Sequence, residues 1–158
     1  MRRALLLALV FFILVADQTT KSVARMTLAG AAPRHYGVLT LVYTDNRGAF
    51  LSLGENFPES MRTIVFDIVV AIGLIVAIVA LFRSKLHRGD DIALAAIIGG
   101  GIGNLIDRLR FAGRVSDFLY LAVGPLHTGV FNIADMAITF GVIWLMVSWM
   151  FSTRARVS

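Results

Sequence analysis

Two aspartates sit where a carboxylate is costly to keep. Asp117 lies in Val115-Ser116-Asp117-Phe118 and runs into Leu119-Tyr120-Leu121. Asp135 ends Phe131-Asn132-Ile133-Ala134-Asp135 and opens a run from Met136 to Phe151 that carries no charge. An ionisable group among apolar residues is by default a functional-site hypothesis. Two carboxyls brought close together share a proton, because like charges at short range cannot both ionise easily; the pair then supplies a general acid and a general base at one pH. That is the chemistry of an aspartic protease. Gly124, Pro125 and Gly129 lie in the loop that the two motifs bracket.

Other hydrolytic chemistries lose ground by composition. The chain has no cysteine, which removes disulfides, thiolate nucleophiles and cysteine-bound metal. His35, His87 and His127 are scattered and form no HExxH pattern, so a zinc hydrolase is not expected and no metal or cofactor is assigned. A Ser/Lys dyad needs a desolvated lysine. The only lysines are Lys21, read as lying near a membrane surface, and Lys85, read as lying in a loop, and neither is an evident base for a buried serine.

Further polar residues recur at helical spacing. Gly100, Asn104 and Arg108 stand at i, i+4 and i+8, so one helix face combines close backbone approach, an amide and a guanidinium. Gly99 and Gly103 form a GxxxG pattern that helix packing alone explains. Asn132 and Asp135 are i, i+3, and Asn132 has a plain alternative role as a helix N-cap, from which it could still orient Asp135. Asp17 and Lys21 are i, i+4 and can pair. Asp107 is left open between a site residue and an interfacial charge. Asp67 is read as an interfacial or helix-packing residue.

The elements that must position these groups are membrane helices. With 158 residues, 58% of them hydrophobic, and a mean hydropathy of +0.79, the chain is too apolar for an ordinary soluble domain. Its net charge of +5 comes from basic residues at the ends of apolar runs, not from one aromatic-laced patch, so no nucleic-acid partner is expected. The expectation is one polytopic domain over 1–158. Its transmembrane helices lie at about 4–25, 61–82, 91–108 and 131–151. Arg2-Arg3 and the apolar run after them resemble a signal peptide, but Leu14 and Asp17-Gln18 suit an uncleaved first span better. Residues of about 34–57, rich in glycine around Val38 to Thr44, are expected to form a small extramembranous β-structure, with a turn at Asn46 to Phe50. Arg2-Arg3, Arg83 to Arg88 and Arg154 with Arg156 would face the cytoplasm, putting both termini inside.

Asp17-Gln18-Thr19-Thr20-Lys21, Asn46-Arg47-Gly48-Ala49-Phe50, Gly100 to Arg108, Val115 to Phe118 and Phe131 to Asp135 occur in an order that resembles lipoprotein signal peptidases, the bacterial signal peptidase II enzymes, over nearly the whole chain. Ala16 and the Thr128-Gly129-Val130 lead depart slightly from that family's pattern without touching an acidic motif. The resemblance implies an all-α integral membrane protein of four transmembrane helices, with an extracytoplasmic β-cradle and a short amphipathic periplasmic helix. It implies a multi-pass protein of the bacterial inner membrane with its active site near the periplasmic face. The implied substrate is a diacylglyceryl-modified prolipoprotein, cut just before its lipidated cysteine. Asp117 and Asp135 are the implied catalytic dyad; Asp17, Asn46, Gly100, Asn104, Arg108 and Asn132 are the implied supporting and substrate-binding residues. Membrane lipid is the expected surrounding, and a monomer the expected state. From the residues alone, a proton-coupled carrier and a helix-packing assembly protein stay open as rivals. Four spans without an inverted repeat argue against the carrier, and the assembly reading leaves two aspartates unexplained.

Overall fold

The computed structural model describes residues 2–46, 59–83 and 87–154, with the side chains of 59–67 and 153–154 excluded. The expected turn at Asn46 to Phe50 beyond Asn46, the cradle residues 47–57, the side chain of Asp67, Lys85 and Arg156 lie outside the described residues.

Among the described residues, four helices and four strands follow in the order α1 (Arg2–Leu28), β1 (Arg34–Tyr36), β2 (Leu39–Asn46), α2 (Glu59–Arg83), α3 (Arg88–Arg110), β3 (Val115–Val123), β4 (Leu126–His127) and α4 (Ile133–Arg154). The fold is therefore helical with a small sheet at one end. Among the described residues, α1, α3 and the stretch Ile133–Ser152 are long and apolar enough to cross a membrane. The described apolar part of α2, Ile68–Arg83, is shorter than a full span, although the helix itself runs for 25 residues. No separate short helix occurs among the described residues.

α3 is the central helix, and its glycines explain how three others reach it. A Cβ on Gly99 would lie 3.0 Å from the Val10 carbonyl oxygen of α1, one on Gly100 2.5 Å from the Ala134 carbonyl oxygen of α4, and one on Gly101 2.6 Å from Leu74 of α2. The glycine run therefore gives each neighbour a surface without side chains to pack on. At the end remote from the sheet, Arg2 pairs with Asp91 and the Arg3 guanidinium donates to the Phe82 carbonyl at 3.3 Å.

Burial is inverted relative to a soluble protein. The largest fully buried side chains are Lys21, Asn132, Asp17, Asp107, Asp117 and Ser116, whereas Leu5, Phe11, Phe12, Ile75, Phe140 and Trp149 are exposed. Exposed apolar surface on this scale is stable only against lipid. The chain is a multi-pass membrane protein.

The sheet is antiparallel in the order β1-β2-β3-β4. Its long strand β3 comes from Val115–Val123, a stretch whose sequence reads as an acidic motif and a loop rather than as part of a sheet. β2 runs alongside it, Thr44 opposite Asp117 and Asn46 opposite Val115, with an irregularity between Leu41 and Thr44. Gly124, at φ 58°, supplies the positive φ that a tight β3–β4 hairpin turn requires. Beneath the sheet, Phe118 packs with Ala24 and Leu28 near the end of α1.

Candidate active site

Two short backbone devices bring the acidic motifs together. The first ends α3. Ala112 adopts a left-handed conformation at φ 53°, followed by Gly113 at φ 78°, and the Gly113 N–H donates to the Arg108 carbonyl at 2.8 Å. This is the six-to-one bond of a Schellman turn. It reverses the chain so that Ser116 N–H donates to Asp107 Oδ2 at 3.0 Å, tying the start of β3 to the helix it has just left.

The second device joins β3 to the start of α4. Phe118 and Leu119 N–H both donate to the Phe131 carbonyl, at 3.0 and 2.9 Å, and Phe131 N–H donates back to Leu119 at 2.8 Å. Asp117 and Asn132 flank this bridge, so their side chains are held side by side. Asn132 then caps α4. Its Oδ1 accepts the Asp135 N–H at 2.9 Å, and Asp135 Oδ2 accepts the Asn132 N–H at 3.2 Å. This reciprocal pair is a capping box with an aspartate in the third helical position.

Asn132 is therefore an N-cap and a member of the acidic site at once. Its Nδ2 donates to Asp117 Oδ1 at 2.6 Å and to Asn104 Oδ1 at 3.2 Å. Asn104 Nδ2 donates to Asp135 Oδ1 at 2.8 Å, and Asn46 Nδ2, from the last residue of β2, donates to Asp117 Oδ2 at 2.9 Å. Each carboxylate thus has a donor on both oxygens. Asp117 is almost wholly buried, while Asp135 is partly exposed. Burial, together with the charge of Asp135, pushes the Asp117 carboxyl up to about 7, against the pull of the Asn46 and Asn132 amides and of the Lys21 charge.

A layer of buried charge supports this pair. Asp17 Oδ1 accepts the Ala134 N–H at 3.0 Å, which satisfies an otherwise unpaired donor in the first turn of α4. Asp17 Oδ2 receives Lys21 Nζ at 2.9 Å and Gln18 Nε2 at 3.1 Å. Lys21 Nζ also reaches Asn104 Oδ1 at 2.8 Å and Asp107 Oδ2 at 3.4 Å. Arg25 stands 3.8 Å from Asp107, donates to Ser116 Oγ at 2.8 Å and lies 4.6 Å over the Phe111 ring. Two aspartates, a lysine and an arginine make this layer neutral as a whole.

The residues singled out in the sequence fall into three positions. Asp117, Asp135, Asn46, Asn104 and Asn132 share one continuous hydrogen-bond network, and Asp17 joins it through Lys21. Gly100 contacts no carboxylate; it lets α3 come close enough to α4 for Asn104 to reach Asp135. Arg108 is buried, and its Nη1 donates to the Asn104 carbonyl at 3.4 Å, on the same helix. Sequence reasoning missed Lys21, which it placed near a membrane surface and which is fully buried at the centre of the charged layer. It also missed Ser116 and left Asp107 open. The i, i+4 pairing of Asp17 with Lys21 was the signal available for the lysine.

Comparison with known proteins agrees with this architecture. Residues 9–151 match the family described as Signal peptidase (SPase) II. The chain is 34% identical over 158 residues to a lipoprotein signal peptidase of Sulfurihydrogenibium sp. (strain YO3AOP1), covering 96% of this chain and 94% of that protein. It is 36% identical over 151 residues to a lipoprotein signal peptidase of Geobacter sulfurreducens, covering 94% and 93%. A solved bacterial membrane enzyme, obtained by the in meso method at 2.3 Å resolution, shares the fold with a TM-score of 0.81 at 24% identity, covering 95% of this chain and 90% of that one. With matches that run through α1, the sheet and α4 alike, the chain belongs to the signal peptidase II family.

Proposed function

We propose that this protein is an aspartic endopeptidase that removes the signal peptide from diacylglyceryl-modified prolipoproteins, cutting before the lipidated cysteine. The relatives' name supports the substrate class. The observation that carries the chemistry is Asn132, whose amide binds Asp117 while its backbone and side chain bind Asp135. Through it, two carboxyls from a strand and a helix are held at one place.

One carboxylate takes a proton from a water molecule as the water oxygen bonds to the scissile carbonyl carbon. The other aspartate, protonated, gives its proton to the carbonyl oxygen, and a gem-diol forms. The first aspartate then passes its new proton to the leaving nitrogen as the C–N bond breaks. A gem-diol hydroxyl returns a proton to the second, which restores the dyad. No cofactor or metal enters this scheme. Arg108 and Asn46 would position the peptide, and the diacylglyceryl chains would lie in lipid between helices, contributing binding remote from the reaction.

Four spans, with α2 as the second, put Arg2-Arg3, the α2–α3 connection and the end of α4 on the cytoplasmic side of the inner membrane. The sheet and the dyad then face the periplasmic surface. A monomer suffices, since every group in the network comes from one chain. The test is cleavage of a diacylglyceryl-modified prolipoprotein by the purified protein, with Asp117→Asn and Asp135→Asn alongside. Cleavage lost in both folded variants, with unlipidated precursor uncut by wild type, is the expected result. Near-normal cleavage by either variant overturns the assignment.

A further inference from the structure

We infer that Lys21 is a positioning residue that acts through Asn104 to fix Asp135 as the carboxylate that takes the proton from water, leaving Asp117 to carry the shared proton. The inference rests on the dyad reading above and assigns the two roles within it.

The argument starts from what each group can do. An ammonium has only donors, so the Asn104 atom that faces Lys21 Nζ at 2.8 Å must be the amide oxygen. Asn132 fixes the same orientation independently. Its Oδ1 is committed to the Asp135 N–H, which leaves its Nδ2 to face Asn104 Oδ1 at 3.2 Å. With two donors on its oxygen, Asn104 has to present its NH2 group to Asp135 Oδ1, at 2.8 Å. A fixed donor on a carboxyl oxygen favours the ionised form of that group. The other oxygen of Asp135 meets the Asn132 N–H, so both of its oxygens accept from donors that favour the carboxylate.

Asp117 meets two amide donors as well, and three features separate it from Asp135. Asn104, which holds Asp135, is in direct contact with the buried cation, and a charge polarises the hydrogen-bond chain it begins. Along the hydrogen-bond chain, Asp117 is reached from Lys21 through a second amide, that of Asn132. Asp135 sits in the first turn of α4, where the helix dipole favours an anion, whereas Asp117 sits on a strand. Asp135 is also the partly exposed member, the one that water and substrate can approach. Among the described residues, the charged groups bonded into this network are Lys21 and Asp17 from α1, Asp107 and Arg108 from α3, and Asp117 from β3. Arg25 closes the far side of Asp107.

The test compares wild type, Lys21→Met and the double variant Asp17→Asn/Lys21→Met as full-length protein in lipid nanodiscs. A diacylglyceryl-modified prolipopeptide is the substrate, and kcat and KM are followed from about pH 5 to about pH 9. Lys21→Met is expected to lower kcat by roughly 100-fold with KM changed less than about 3-fold, and to move the acidic limb of the pH profile upward by about one unit. The double variant removes one charge of each sign, so it stays neutral overall and keeps the result readable if the single variant fails to fold. It is expected to show the same displaced limb. A wild-type profile in Lys21→Met, or recovery of wild-type kcat and profile in the double variant, would show that the lysine only neutralises its aspartates and would overturn the inference. Asp117→Asn and Asp135→Asn run in parallel separate the two readings. If either stays active, the dyad itself falls; if both are inactive while Lys21→Met keeps the wild-type profile, only the role given to Lys21 falls.

Discussion

At the scale of single residues, the site is a set of atoms with little freedom to exchange roles. Asp117 shows the cost. Its carboxyl is raised from 3.8 to about 7, so between those values the folded chain holds a proton that the unfolded chain has released. Stability must then fall as pH rises through that window and level off above it. In Asp117→Asn the slope disappears, so the Tm of the variant minus that of wild type should grow from about pH 5 to about pH 7 and stay flat above about pH 8. In the proposed mechanism the same proton is needed for catalysis. The kcat/KM of wild type should therefore fall about tenfold per pH unit above the alkaline limb near 7, as both carboxyls become ionised. Asn132 allows its two jobs to be pulled apart. Asn132→Ala loses the cap, at about 1 kcal/mol, and the amide on Asp117 as well. Asn132→Ser keeps an oxygen for the Asp135 N–H but cannot reach Asp117 and Asn104 together. Thermal unfolding should be largely rescued by serine, while cleavage stays down by roughly 100-fold in both.

At the scale of elements, the sequence made some parts plain and hid others for physical reasons. Asp117 and Asp135 were legible because a carboxylate within an apolar run has no cheap explanation. The Gly100, Asn104 and Arg108 face was legible because helical period alone puts those residues in line. β3 was not, since its buried residues Val115 to Phe118 run without the alternation that marks a half-buried strand. Lys21 was not, since an Asp–Lys pair near the end of an apolar helix reads as an interfacial one until its partners on α3 are known. Gly100 tests the packing. Gly100→Ala places a methyl 2.5 Å from the Ala134 carbonyl oxygen, so α3 and α4 must part and Asn104 must draw away from Asp135. Cleavage should drop at least about tenfold, because catalysis is steeply sensitive to misplacement. Gly73→Ala, with nothing within 4 Å of its Cβ, is the control and should keep full activity. The turn after α3 offers the opposite change. Ala112 holds a left-handed conformation that costs roughly 1 kcal/mol without a glycine, so Ala112→Gly should raise stability by a similar amount in a denaturation series.

At the scale of the whole molecule, the inverted burial sets where substitutions matter. Phe11 and Phe140 face outward, and their exchange for alanine should cost under about 1 kcal/mol in lipid, because hydrocarbon solvates the site either way. Lys21→Met should cost about 3 to 5 kcal/mol, since it leaves Asp17 and Asp107 buried with less compensation. The capping box at the start of α4 has a consequence at this scale too. The groups that nucleate the helix are the groups that hold the carboxyls, so fraying of that terminus dismantles the proposed reaction centre in the same event. Amide hydrogen exchange at Asp135 and loss of turnover should therefore report a single opening equilibrium, and the molecule has no way to be ordered at this end and idle.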